Sequence, residues 1–302
     1  MSIPRLSIGL PVYNGEDFVA AAIKSILNQN FQDFELIISD NASQDGTSVI
    51  CRDFAEKDNR IRYYRSEVNY GAARNLNRVF ELARGELFKW AAHDDVCLPG
   101  FFKGCVEVFD RVPPTVVLVY PQTQFIDEAG RPINCLAECI ESKQRRPHQR
   151  LSNVLRQLSN LCAQYGVIRS DALRKTRLFD KIIAADFVLL AELAMLGEIL
   201  EVPEILFQRR IHSGMSSKAN VGWREYLRWS DPANKPYIVP LSPMMRLGYE
   251  YTRSIARLPL RPSDRWLCHL SALSVWYSRE LRNLVGRNRR RLVDALRLMV
   301  QK

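Results

Sequence analysis

Two adjacent carboxylates, Asp94 and Asp95, follow an apolar run at residues 87–90 that is typical of a buried strand. Two carboxylates at one strand end repel each other unless a positive charge lies beside them. Carboxylate oxygens suit Mg²⁺ or Mn²⁺, and these cations also bind phosphate oxygens. The pair therefore predicts a site for a divalent cation that carries a diphosphate. The alternative is an exposed turn, because aspartate is also frequent in turns.

Three earlier segments show the same arrangement of an apolar run, a polar turn and a helical pattern. Their polar turns lie at residues 11–16, 40–47 and 69–75. Alternating strands and helices predict an α/β fold with a mostly parallel central sheet and helices on both faces. Such sheets bind ligands outside the carboxyl ends of their strands, where all four turns must lie. This organisation predicts a crevice for a mononucleotide.

The four turns, taken in order and at this spacing, resemble the signature of the family 2 inverting glycosyltransferases of non-processive bacterial type. The resemblance covers roughly residues 5–215. It implies a GT-A fold, a nucleotide-diphosphate sugar donor such as a UDP- or dTDP-sugar, and a divalent cation, Mn²⁺ or Mg²⁺. It also implies a saccharide or lipid-linked acceptor and a role in surface polysaccharide or glycolipid synthesis. Residues 225–229 depart from the Gln-x-x-Arg-Trp segment of processive members, which favours the addition of a single sugar.

The resemblance assigns nucleotide-sugar binding to eight residues of the turns. They are Pro11, Tyr13, Asn14, Glu16, Asp40, Gly71, Arg74 and Asp94. By the resemblance, Tyr13 stacks on the base, Asp40 accepts a hydrogen bond from it, and Gly71 lets the backbone approach the nucleotide. The alternatives are an ordinary half-buried core tyrosine at position 13 and a helix cap at position 40.

The metal site departs from the family pattern of Asp-x-Asp-Asp, because Ala92 stands where the first aspartate is expected. The candidate metal ligands are Asp94, Asp95 and His212, and we expect both aspartates to be exposed in the crevice. His212 could instead contact the diphosphate or be a purely structural histidine.

The general base that the resemblance implies is Asp186, which would take the proton of the acceptor hydroxyl. The family has a Glu-Asp-like pair here, and Ala185 replaces the glutamate. Asp186 could merely cap the following helix, and Glu192 is interpreted as a solvated helix residue. Since Ala92 and Ala185 both stand at acidic positions of the family, the alternative function is a catalytically silent nucleotide-sugar-binding or scaffold protein.

The predicted domains are a catalytic domain at residues 1–220 and a basic helical extension at residues 221–302. The catalytic domain divides into a nucleotide-binding half, 1–112, and an acceptor half, 113–220. Residues 243–302 hold thirteen Arg or Lys and four Asp or Glu, and the whole chain has a net charge of +10. This basic, aromatic-rich tail could lie on an anionic membrane surface, pack as a helical cap, or form a dimer contact.

Other features restrict the class of protein. No segment resembles a nucleic-acid-binding module, so we expect no nucleic-acid partner. No Gly-x-Gly-x-x-Gly follows the first strand, which argues against a nicotinamide dehydrogenase. The seven cysteines are scattered and no signal peptide is evident. We therefore expect a cytoplasmic protein, either free or peripheral on the inner face of the cell membrane.

Overall fold

The computed structural model describes residues 3–134, 139–158, 162–182, 184–215, 223–232 and 243–278. Within these residues there are nine strands: β1 (Leu6–Val12), β2 (Phe34–Asp40), β3 (Ile61–Arg65), β4 (Leu87–Trp90), β5 (Val96–Cys97), β6 (Val116–Ile126), β7 (Pro132–Ile133), β8 (Val167–Arg169) and β9 (Glu198–Arg210). They form a single sheet in the order β3-β2-β1-β4-β8-β6-β9-β5, with β7 paired to β6.

The helices lie between and after these strands. They are α1 (Val19–Leu27), α2 (Thr47–Lys57), α3 (Ala72–Glu81), α4 (Phe101–Arg111), α5 (Pro147–Gln157), α6 (Ser170–Leu173), α7 (Ala185–Leu196), α8 (Trp223–Ser230), α9 (Pro243–Arg257) and α10 (262–278). A short 3-10 turn, Ala163–Tyr165, precedes β8.

The first half of the sheet is parallel, as its apolar strand sequences predict. β1 pairs with β2 on one side and with β4 on the other, and β2 pairs with β3. Alternate side chains of β2 enter two different apolar clusters, Ile37 in one and Leu36 and Ile38 in the other. Successive strand residues point to opposite faces, so the two clusters lie on opposite faces of the sheet. Each face is therefore covered by apolar packing, as in a parallel sheet with helices on both sides. The predicted fold class is confirmed.

The second half continues the same sheet across residue 112. The long parallel pair of β6 and β9 joins the first half through β8, which runs antiparallel to β4. The short strand β5 pairs with β9, opposing Val96 to Gln208. This pairing returns the end of β9 to the neighbourhood of Asp94 and Asp95.

The described part of the C-terminal extension packs against the rest of the molecule. Apolar side chains of α9 and α10 enter the same cluster as α7, and they include Tyr251, Ile255, Leu258, Cys268, Ala272 and Val275. These two helices therefore form a packed helical cap. The division into domains at residues 112 and 220 stays a prediction. Over the described part of the chain, no helix has both the length and the apolar character that a bilayer span needs.

Candidate functional site

The turns after β1 and β2 are hydrogen-bonded to each other at the carboxyl edge of the sheet. The amide of Asn14 donates to Ser43 Oγ at 3.0 Å, and Asn14 Oδ1 accepts from the amide of Gln44 at 2.9 Å. Glu16 Oε2 accepts from the amide of Gly46 at 2.6 Å. Asn14 has a φ of 50°, a left-handed conformation that asparagine tolerates. Asn14 and Glu16 thus shape this edge by joining two turns.

Tyr13 lies on the outside of this edge, with 39% of its surface exposed. It belongs to neither of the two apolar clusters of the core. Pro11, two residues earlier, belongs to β1 and pairs with Ser39 of β2. The exposed ring is available for stacking, and its contact with a base stays a prediction.

Asp40 is fully buried at the end of β2 and both of its oxygens have partners. Oδ1 accepts from the amide of Ser43 at 2.8 Å, and Oδ2 accepts from the Tyr63 hydroxyl at 2.8 Å. Arg65 Nε lies 3.3 Å from Oδ2. The N-cap of α2 is Gly46, so Asp40 is no cap of that helix. Asp40 fixes the turn, and its bond to a base stays a prediction.

Gly71 is approached closely by the C-terminal extension. Its φ is 87°, and a Cβ on this residue would come within 2.3 Å of the carbonyl oxygen of Ser230 at the end of α8. Only glycine combines this backbone conformation with such a close neighbour. Nearby, the exposed Arg74 guanidinium lies 4.6 Å from the centre of the Tyr70 ring. The sequence did not predict that α8 would pack on this turn.

Asp94 and His212 meet at the centre of the edge. His212 Nε2 lies 2.9 Å from Asp94 Oδ2, and the imidazole packs on the Phe18 ring with the ring centroids 4.9 Å apart. Burial raises the pKa of Asp94, but the hydrogen bond with His212 and the charges of His93 and His212 outweigh burial and hold that pKa below its usual value. The same hydrogen bond raises the pKa of His212.

Asp95 has a different hydrogen-bond partner from Asp94 and is buried, with 6% of its surface exposed. Its Oδ1 accepts from the amide of Arg210 at 2.9 Å. Burial, followed by the charge of Asp94, raises the pKa of the Asp95 carboxyl. The expectation that both aspartates are exposed in the crevice is therefore wrong for Asp95, whose carboxyl is covered where β5 pairs with the end of β9, and the Asp94 side chain is only 16% exposed. Its role as a metal ligand stays a prediction.

The donor set at this edge fits a cation whose coordination a substrate completes. Among the described residues, no three His, Cys, Asp or Glu side chains group closely enough to hold a metal ion. Asp94 and His212 offer a carboxylate and an imidazole, and both donor types suit Mn²⁺. Mg²⁺ is commonly held by one or two carboxylates together with substrate phosphates. A diphosphate would supply the remaining oxygens.

A buried lysine beneath the edge was not anticipated from the sequence. Lys89 is fully buried in β4, and its Nζ donates to the carbonyl oxygens of Trp90 at 3.0 Å and Tyr165 at 2.7 Å. Burial lowers the pKa of this amine. The only signal is a lysine within an apolar strand. Its bonds tie the end of β4 to the turn that holds Tyr165.

Asp186 lies in the first turn of α7, half-buried, and its Oδ1 accepts from the amide of Phe187 at 2.9 Å. Burial raises the pKa of the Tyr165 hydroxyl, Arg209 opposes this, and the charges of Asp95, Asp94 and Asp186 raise it further. All three carboxylates therefore lie within electrostatic range of the half-buried Tyr165. The assignment of Asp186 to the same site as the Asp94–His212 pair stays a prediction.

Glu192 lies on the same helix but does not belong to this site. It is fully buried and forms ion pairs with Arg177 at 3.2 Å and Arg257 at 3.5 Å. The interpretation of Glu192 as a solvated helix residue is wrong. Helix α7 lies within the apolar core, and Glu192 is buried with it.

The sequence profile described as Glycosyl transferase family 2 matches residues 7–177. The chain belongs to this family. It is 27% identical over 216 residues to an uncharacterized glycosyltransferase of Rickettsia prowazekii (strain Madrid E), a match that covers 71% of this chain and 66% of that protein. A match to an uncharacterized glycosyltransferase of Rickettsia felis, 26% identical, covers 74% of this chain and 38% of its relative. The chain thus spans less than two thirds of these family members.

A shorter match and two solved structures complete the comparison. The GalNAc(5)-diNAcBac-PP-undecaprenol beta-1,3-glucosyltransferase of Campylobacter jejuni is 37% identical over 100 residues, 32% of each chain. The structure of S. aureus TarS 1–349 in complex with UDP-GlcNAc matches with a TM-score of 0.65 at 16% identity. The match covers 91% of this chain and 73% of the TarS chain. The structure of the mannosyltransferase PcManGT from Pyrobaculum calidifontis, in complex with GDP-Man and Mn²⁺, matches with a TM-score of 0.53 at 16% identity. The match covers 91% of this chain and 74% of the PcManGT chain. These structures share the fold of this chain.

Proposed function

We propose that this chain is an inverting glycosyltransferase that moves one sugar from a nucleotide-diphosphate sugar to an acceptor hydroxyl. The observation that carries the proposal is the Asp94–His212 pair at the carboxyl edge of the sheet, where His212 Nε2 lies 2.9 Å from Asp94 Oδ2. Asp186, at the start of α7, lies within electrostatic range of the same neighbourhood. UDP-GlcNAc and GDP-Man in the structural neighbours support a nucleotide-sugar donor, and a UDP- or dTDP-sugar is our choice for this chain.

The donor is proposed to lie across the joined turns of β1 and β2. The exposed ring of Tyr13 faces solvent beside these turns and offers a stacking surface for a base. Asn14 and Glu16 hold the turns together, so the surface is formed before the donor arrives. A preformed surface costs less entropy on binding.

The cation is proposed to be held by Asp94 and His212 together with the donor's diphosphate oxygens. When bound, a divalent cation neutralises the charge that builds on the departing diphosphate. The Mn²⁺ in the PcManGT complex supports this choice of ion. The low pKa of Asp94 keeps its carboxylate charged and ready to bind a cation at neutral pH.

Asp186 is proposed to be the general base. It is half-buried in the first turn of α7, and its Oδ1 accepts a hydrogen bond from the amide of Phe187. A carboxylate there accepts the proton of the acceptor hydroxyl as its oxygen attacks the anomeric carbon. Attack opposite to the departing diphosphate inverts the anomeric configuration.

The acceptor is proposed to be a saccharide or a lipid-linked sugar used in surface polysaccharide or glycolipid synthesis. The printed name of the Campylobacter jejuni relative includes an undecaprenol-linked acceptor, which supports the lipid-linked class. A cytoplasmic protein that is peripheral on the inner face of the cell membrane could reach such an acceptor.

The test of this function is Asp186→Asn. We expect unchanged donor affinity and a loss of transfer of about 10²–10⁴-fold, which is what general base catalysis contributes. Donor affinity is measured by calorimetry, and transfer is measured with an acceptor found by screening. Asp171→Asn is the matched control, because Asp171 also lies in the first turn of a helix, α6, and is exposed. Equal turnover of Asp186→Asn and the parent would contradict the assignment.

The alternative function is a catalytically silent nucleotide-sugar-binding or scaffold protein of the same fold. Ala92 and Ala185 favour it, because both replace acidic residues of the family pattern. Tight donor binding by the parent chain, with no transfer to any acceptor and no donor hydrolysis, would support this alternative.

A further inference from the structure

The outward face of α10 is apolar, although it faces solvent. Trp266, Leu270, Leu273 and Tyr277 have 64%, 44%, 54% and 64% of their surfaces exposed. Their spacing of four, three and four residues places all of them on one side of the helix. We call these four residues the outer stripe.

The opposite face of α10 is the one that packs on the molecule. It consists of Asp264, Cys268, Ala272 and Val275, which are all buried. A surface helix normally pairs a buried apolar face with a polar outer face. An exposed apolar patch of this kind marks an interaction surface. The outer stripe is therefore a candidate surface for contact with a partner molecule.

The described segment that contains the outer stripe, residues 243–278, carries more positive than negative charge. The two acidic residues of 243–278 are buried: Glu250 pairs with Arg177, Arg246 and Arg253, and Asp264 pairs with Arg146. The basic residues of the same segment remain partly or fully exposed, and they are Arg246, Arg253, Arg257, Arg261 and Arg265. Directly after α10, residues 279–302 contain eight Arg or Lys and two Asp or Glu.

We propose that the outer stripe docks on an anionic phospholipid surface, with α10 lying in the plane of the membrane. Apolar side chains enter the boundary between headgroups and acyl chains, and arginines attract the anionic headgroups. Trp266 and Tyr277 lie towards the two ends of the stripe, and their amphipathic rings suit that boundary. The proposal does not depend on the transferase reaction.

Charge separates this partner from a second copy of the chain. In a two-fold dimer through the stripe, the same basic segment is brought together twice, once from each subunit. Like charges held close together repel, and the attraction of apolar surface would have to overcome them. An anionic membrane offers apolar and negative surface together.

The experiment measures sedimentation of the full chain with lipid vesicles. One vesicle type contains phosphatidylcholine and phosphatidylglycerol in equal parts, and the other contains phosphatidylcholine alone. We expect binding to the first type, weak binding to the second, and release as salt rises. The double variant Trp266→Ser/Leu273→Ser should bind the anionic vesicles at least about tenfold more weakly, because two exposed apolar side chains no longer enter the lipid. Val49→Ser is the control, since Val49 of α2 is equally exposed.

Three outcomes would overturn the proposal. One is equal vesicle binding by the stripe variant and the parent. Another is equal binding to both vesicle types. The third is a lipid-free dimer that the stripe variant loses, as measured by light scattering. A second variant should also weaken binding to the anionic vesicles, because it removes positive charge and leaves the four stripe residues unchanged. In it, Arg287, Arg289, Arg290 and Arg291 are changed to Gln. Donor affinity and the thermal midpoint are read on the same samples, so a failure of the proposed transferase function or of folding is recognised separately.

Discussion

At the scale of residues, two adjacent aspartates have separate surroundings and, we propose, separate tasks. Asp94 Oδ2 lies 2.9 Å from His212 Nε2, whereas Asp95 Oδ1 accepts a hydrogen bond from the backbone amide of Arg210. The sequence identifies both as candidates, because their types and position after a strand are visible. It cannot divide their roles, because Arg210 is distant in the chain and reaches Asp95 only through the pairing of β5 with β9.

This division gives different expectations for the two substitutions. Asp94→Asn should abolish Mn²⁺-dependent donor binding, because it removes the charged oxygen that faces His212, and it should leave the fold intact. Asp95→Asn should retain donor binding, since an amide oxygen can still accept the amide of Arg210. Calorimetry with donor, with and without Mn²⁺, measures both variants, and circular dichroism checks folding. Binding of donor and Mn²⁺ by Asp94→Asn at the level of the parent would contradict the proposed cation site.

At the scale of elements, a buried ion-pair network joins α7 to α9. Arg177 Nη1 lies 2.8 Å from Glu250 of α9, and Arg177 Nε lies 3.2 Å from Glu192 of α7. Both glutamates are fully buried and Arg177 is nearly so. The helix that carries Asp186 is thus tied to the C-terminal extension. The extension contributes to the position of the proposed base.

Breaking this network should be costly. Arg177→Met leaves two buried carboxylates without this partner, and the loss of one member of a buried charge cluster costs about 3–5 kcal/mol. Guanidinium unfolding measures the free energy. Lys57→Met is the matched control, because the Lys57–Asp53 pair is exposed and should contribute less than about 1 kcal/mol. Similar losses for the two variants would show that the Arg177 network does not hold the extension in place.

Much of the element order could be predicted from the sequence, for a physical reason. Strands of a parallel sheet covered on both faces are apolar along their length, so β1 and β2 stand out from their flanking turns. The placement of α8 on Gly71 and the burial of Glu192 could not be predicted. Both depend on contacts between segments far apart in the chain, and an amphipathic pattern does not specify its partner.

At the scale of the whole molecule, the sheet, its edge and the extension form a consistent arrangement. The carboxyl edge gathers the residues proposed for donor and cation. Apolar side chains of the extension pack in the same core cluster as α7, and the outer stripe of α10 is exposed to solvent. A chain that docks by the outer stripe would work at a membrane surface, where a lipid-linked acceptor is concentrated.

The most direct test of the central claim measures the release of nucleoside diphosphate from a panel of UDP-, dTDP- and GDP-sugars by the purified full chain with Mn²⁺. We expect slow release from a UDP- or dTDP-sugar without acceptor, because water can replace the acceptor hydroxyl. This release should stop on chelation of the metal and in Asp94→Asn, and it should fall strongly in Asp186→Asn. Saturable donor binding without release from any sugar, or release that Asp94→Asn leaves unchanged, would contradict the account.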